Sequence, residues 1–182
     1  MVNGYQIMMR RVMGALLITS LLVLSACGNA GDTTGQQSAT TNKPADAQTV
    51  ELTLMDQTFN LEVALDFASR NQGLSDRNSI DATGGMLFKF TSPVKTQFVM
   101  RRCYVPIDLI FIDEDGYIDS LHAMAVIEPI GGARWKNPSS GYPTAGKILY
   151  AVELKGGKIA ELGLSRGEKI ELPEAVLQLK AQ

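Results

Sequence analysis

The stretch from Arg101 to His122 holds the side chains best suited to chemistry: Arg101, Arg102, Cys103, Asp108 and His122. His122 is the chain's sole histidine, and an unperturbed histidine titrates near neutrality, where a general base works best. Alternation along its segment places it on one face with Ile118 and Met124. A lone histidine in that setting is more often a hydrogen-bonded core residue than a catalyst. Asp108 shares a face with Ile110 and Ile112. A carboxylate in such an apolar row must be paired, because ionising it alone is costly. Arg101 and Arg102, one strand earlier, are the expected partners. The group then reads either as a structural ion pair or as the floor of a polar pocket with His122 beside it. Cys103 is a nucleophile candidate if His122 serves as its base; burial as an inert thiol is the competing reading. A metal would have to use His122, Asp108, Cys103 or Glu128, and no H-x-x-x-H or C-x-x-C spacing fixes a geometry. No metal or other cofactor is expected. Phosphate-cradling glycine loops and a G-x-S-x-G elbow are absent as well.

The elements that must position these residues read mostly as short strands. Residues 49–54 and 58–65 alternate with period two and form a hairpin across Met55, Asp56 and Gln57. Residues 66–75 make a short helix that stops at Gly73. Residues 85–90 form a strongly apolar strand. Residues 96–102 form another, with Phe98, Met100 and Arg102 on one face and Val99 and Arg101 on the other. Residues 107–113 and 117–126 pair through Glu114-Asp115-Gly116, where Asp-Gly supplies the positive dihedral that a tight turn needs. Residues 130–146, rich in Gly, Pro, Ser and Asn, read as a long irregular loop, in which Arg134, Trp135, Lys136 and Tyr142 would rim a ligand site. A strand at 147–154, a helical turn at 158–162 ended by Gly163, a last strand and a short helical tail complete the domain. Many short strands separated by turns predict a mainly β fold, a small antiparallel β-sandwich or barrel with one or two short helices.

The first residues are of another kind. Arg10 and Arg11 precede an apolar run, residues 12–24, too short to span a bilayer core of roughly twenty apolar residues. The run ends in Leu24-Ser25-Ala26-Cys27, which resembles the lipobox of bacterial lipoproteins and implies cleavage before Cys27 and lipid on its thiol. Residues 1–26 are then a signal peptide. Residues 27–48 are a lipidated cysteine and flexible tether, free of large apolar residues and spanning roughly 25 Å as a coil. Residues 49–182 are one globular domain. Two or three acyl chains make the anchoring effectively permanent. Gly28 stands where an aspartate would signal inner-membrane retention. The expected location is therefore the outer membrane facing the periplasm, or the outer face of the cytoplasmic membrane where there is only one.

With acylation of Cys27, Cys103 is the only free thiol, and no disulfide forms within one mature chain. Losing Arg10 and Arg11 from 17 basic residues against 19 acidic ones leaves the mature chain mildly acidic, at about −4. That balance argues against nucleic acid as a partner and against a basic membrane-binding face. The expected partners are the membrane, through the lipid, and an envelope protein or small ligand.

Six stretches in order resemble one family. They are R-x-x-G-L (Arg70, Gly73, Leu74), GGMLFKF (residues 84–90), FVMRRCYVPIDLIFID (98–113), SLHAM (120–124), AVELKGG (151–157) and LGLSRGEKI (162–170). Together they are similar to the bacterial and archaeal domain of unknown function numbered 192. Members commonly read F-W-M-K-N-T in the middle strand, where this chain has Phe98, Val99, Met100, Arg101, Arg102 and Cys103. The resemblance implies a small β-sandwich and no assigned reaction. The resulting expectation is a binding module recognising its ligand through Arg101, Arg102, Asp108, His122 and Trp135. The alternative is an envelope hydrolase using His122 with Asp108 or Cys103.

Overall fold

The computed structural model describes residues 47–126 and 141–182. Cys27, the tether up to Asp46, Glu128, Arg134, Trp135 and Lys136 lie outside the described residues. Among the described residues no helix is long and apolar enough to cross a membrane.

The fold is mainly β, as the alternating segments predict. Strands β1 (Thr49–Leu54), β2 (Gln57–Ala64), β3 (Gly84–Val94), β5 (Ile107–Ile112), β6 (Ile118–Met124) and β8 (Ile148–Lys155) form one sheet in the order β1-β2-β3-β8-β5-β6. Strands β4 (Gln97–Phe98) and β7 (Tyr142–Pro143) form a separate two-stranded ribbon. The sheet is mixed and does not close. β2 and β3 run parallel, because the chain between them crosses over through α1 (Phe67–Gln72), and a parallel pair needs such a connection. Helices α2 (Lys158–Leu162) and α3 (Glu174–Leu177) complete the elements.

Both faces of the sheet are covered, which explains why every residue of β5 is buried. The first face gathers Leu52, Phe59, Leu61, Ile110, Ile112, Val152 and Leu154 under α2, α3 and the C-terminal tail. The second gathers Phe88, Leu109, Phe111, Met124 and Ala151 under Leu74, Met100, Cys103 and the ribbon. There Phe98 stands edge-on to Phe88 and Phe111, with ring centroids 4.9 and 5.3 Å apart.

Three expectations change. Residues 96–102 are a strand only at β4; the backbone then turns, with Arg102 in the left-handed region at φ 55°. The last expected strand reduces to one bridge between Tyr117 and Lys169. Finally, β6 carries a bulge. Ile118 pairs with Ile112 and Ser120 with Phe111, so Asp119 is the extra residue. Its carboxylate accepts the amides of Ala145 and Gly146 at 2.8 and 2.6 Å. Because strand side chains alternate, one extra residue exchanges faces. Ile118 therefore joins the first core and Met124 the second, and His122 leaves the face of Ile118.

Candidate functional site

Cross-strand register decides which of the expected residues meet. Asp108 pairs with Ala123 and Leu154, whereas His122 pairs with Leu109, which pairs with Glu153. His122 and Asp108 therefore lie on opposite faces. The hydrolytic pairing of the two is not assembled, and neither is the expected ion pair of Asp108 with Arg101 or Arg102. Asp108 instead accepts the Ile159 amide at 2.6 Å, tying down the first turn of α2. His122 is half-buried; its Nε2 donates to the Pro143 carbonyl at 2.9 Å, and its ring lies 5.6 Å from that of Tyr142. Arg102 forms a two-pronged ion pair with Asp76, which pulls the Asp76 carboxyl below its ordinary range and raises the guanidinium. Cys103 is buried, and desolvation, reinforced by the Glu153 carboxyl, pushes its thiol up to about 12. A thiol in that range supplies almost no thiolate at neutral pH. The inert reading of Cys103 is the one that its surroundings favour.

Arg101 is different. It lines a cleft of about 460 Å³ on the second face, between α1 with its trailing loop and the segment around β4. Its guanidinium donates to the Asn71 carbonyl at 3.2 Å, and its buried Nε has no hydrogen-bond partner among the described residues. The neighbouring arginines are all engaged. Arg70 donates to the carbonyls of Leu65, Lys89 and Gln182 at 2.5, 3.2 and 2.9 Å and stacks over Phe90. Arg77 grips Glu62 through two bonds of 2.6 and 2.7 Å. That ion pair also fills the charge demand of a smaller cleft of about 170 Å³ beside Asp81 and Gly84. Among the described arginines of this face, only Arg101 keeps a buried donor unmet.

The carboxyl that lines the cleft is Glu153, on β8. Burial pushes its carboxyl up to about 7, offset in part by the Leu74 amide and the more distant Arg77. The amide bond is long, 3.3 Å, and no cation pairs with this carboxyl within ion-pair distance among the described residues. Gly73 makes the arrangement feasible. Its backbone (φ 50°, ψ −140°) suits glycine alone, and a Cβ there would stand 3.2 Å from Glu153 Oε2. Two further residues are strained to hold the site. Asp76 (φ 64°) and Arg102 (φ 55°) are both left-handed and are bonded amide to carbonyl at 2.7 Å. Ser75 Oγ clasps the Arg101 carbonyl at 2.9 Å. Strain held by such mutual bonding is typical of functional loops. Phe67, exposed at the rim, and Phe90 and Phe98 supply apolar wall.

Sequence reasoning passed over Glu153, although a signal was there: an acid between Val152 and Leu154 in an otherwise uncharged strand interior. The argument that singled out Asp108 applies to it unchanged.

The DUF192 family model, described as an uncharacterized ACR, matches residues 49–172. Two solved structures are similar to this chain. One, from Novosphingobium aromaticivorans and described as of unknown function, is 27% identical, with 79% of this chain and 100% of that one covered and a TM-score of 0.60. The other, from Sinorhizobium meliloti and named as a candidate transcription regulator, is 29% identical, with 68% and 90% covered and a TM-score of 0.54. No curated protein matches.

Proposed function

We propose that this chain, which belongs to the DUF192 family, is a lipid-anchored envelope protein whose domain binds a small ligand in the cleft under α1. The observation that carries the binding reading is Arg101: an arginine with an unmet buried donor lining a cleft of about 460 Å³, within the range of small-molecule sites. The anchor reading rests on Leu24-Ser25-Ala26-Cys27 behind a short apolar run, with a polar tether after it. Gly28 favours the outer membrane, facing the periplasm, in a cell with two. An envelope protein docking near the same cleft is a further partner of this reading. The mildly acidic composition gives no footing for carrying over the Sinorhizobium relative's name as a regulator of transcription.

Two measurements test the proposal. Cys27→Ser should move the protein from the membrane to the soluble fraction and abolish the mass of attached acyl chains; an unchanged fraction and mass would remove the anchor. A thermal-shift screen of small metabolites should yield compounds that stabilise the wild type and not Arg101→Met. A screen without any Arg101-dependent compound would defeat the binding reading.

A further inference from the structure

Among the charged groups that line the cleft, two have complementary needs. Arg101 offers a guanidinium that has no counter-ion among the described residues, its Nε–H unmet there. A planar guanidinium matches a carboxylate best, because two parallel N–H bonds meet two oxygens. Glu153 lines the same cleft with its carboxyl desolvated and only one long bond to it. In its protonated form it donates a hydrogen bond. Once ionised it becomes a negative charge beside any bound anion. Phe67, Leu74, Phe90 and Phe98 form an apolar wall on one part of the cleft, beside polar side chains that include Gln72 and Gln97. A multiply charged inorganic anion would leave that wall unused and sit beside Glu153, whereas an uncharged apolar ligand would leave Arg101 unmet.

Resting on the small-ligand reading above, we infer that the cleft takes a small organic monocarboxylate with an apolar body, its carboxylate on Arg101 and its body against Phe67, Phe90 and Phe98. Glu153 tunes this binding as the protonated acid. The other charged groups facing Glu153 are Arg101 on the loop after β4, Arg70 on α1, Arg77 with its partner Glu62, and the Asp76–Arg102 pair. His122 lies beyond Leu109 on the same face. Asp76 is held low by Arg102, and the Cys103 thiol is pushed up to about 12. Raising the pH past about 7 ionises Glu153 and weakens the bound anion.

The test is calorimetry on the full chain in detergent with 3-phenylpropionate and hexanoate, against 3-phenylpropanol, phenylalanine and inorganic phosphate. At pH 6 the two carboxylates should bind at least about tenfold more tightly than the alcohol or phosphate, a difference of about 1.4 kcal/mol. Arg101→Met should lose that preference, with Arg101→Lys intermediate because the fork is gone but the charge remains. Affinity for the carboxylates should fall between pH 6 and pH 8 in the wild type and in His122→Gln, and stay level in Glu153→Gln. Each variant's melting temperature is recorded, so that a misfolded protein is recognised. If neither carboxylate binds, or the alcohol or phosphate binds as well, the carboxylate assignment falls. Tighter binding of phenylalanine, strengthening as pH rises, would make the ligand a zwitterion with its ammonium on Glu153 and likewise overturn it. In those cases an Arg101-dependent compound from the thermal-shift screen would still uphold the small-ligand reading, which fails only if that screen also yields none.

Discussion

The sheet buries Asp108 on its first face and Glu62 and Glu153 on its second; Glu62 is matched by Arg77, and the other two carboxylates are treated differently. On the first face, Asp108 accepts the Ile159 amide at the start of α2, and Lys89 donates to the Val176 and Leu177 carbonyls at the end of α3, at 3.2 and 2.8 Å. Each charge meets the helix end of opposite partial charge. Those polar groups serve the fold. On the second face, Glu153 has one amide at 3.3 Å and, among the described residues, no cation within ion-pair distance, in a wall that opens to a cleft. A residue there costs stability without tying two elements together. The contrast teaches that burial alone does not mark a site; burial with unmet demand does.

The largest expected effect breaks the comparison at Glu153. Its carboxyl is ordinary near 4.5 when unfolded and pushed up to about 7 when folded. Between these values the folded state binds more protons, so stability falls as pH rises through the window and stays low above it. The penalty above the window is on the order of 3 kcal/mol. Urea unfolding at pH 5 and pH 8 should show this loss in the wild type, whereas Glu153→Gln is level and more stable at pH 8. Equal pH slopes in the two proteins would show that Glu153 is not under the strain ascribed to it.

Asp108→Ala should cost about 2 kcal/mol, since it orphans a buried amide, and leave ligand binding by the opposite face unchanged. Reduced binding at equal stability would end the division of labour between the faces. Gly73→Ala should cost about 1–2 kcal/mol through backbone strain and the contact with Glu153, with a smaller cost in a Glu153→Ala background. Strict additivity there would detach Gly73 from the carboxyl. Lys89→Met should change stability by no more than about 1 kcal/mol, because replacing a buried charge with an apolar side chain of similar length is often close to neutral. A loss well beyond that, read from denaturant midpoints, would show that the first face depends on the Lys89 charge at the end of α3.

Much of the fold was legible because local chemistry and global topology agree. Asp115-Gly116 marks the β5–β6 turn, Gly73 and Gly163 end their helices, and the alternation at residues 49–64 yields β1 and β2 with nearly the observed bounds. Legibility failed where one residue overrides a pattern. Asp119 bulges because its side chain has the Ala145 and Gly146 amides to satisfy, a contact 26 residues away in the chain. The segment after β4 turns away with Arg102 in the left-handed region, where it is bonded to Asp76, and nothing adjacent to Arg102 announces that. The parallel β2–β3 pair is a matter of crossover, which alternation does not encode. Of the residues expected at a site, Arg101 and the buried Cys103 line the cleft, whereas Asp108, His122 and Arg102 answer to other neighbours and Trp135 lies outside the described residues. Glu153, Arg70 and Gly73 complete the cleft through long-range proximity, although two of the three sit inside the R-x-x-G-L motif.

The bulge at Asp119 has a mechanical consequence. Without it, Ile118 and Met124 would stand on the same face of β6 and be anchored in one core. With it, a single strand begins in one core, at Ile118, and ends in the other, at Met124. The strand acts as a rivet driven through the sheet at a slant. Loosening either layer drags the same seven residues, so the halves are obliged to come apart together.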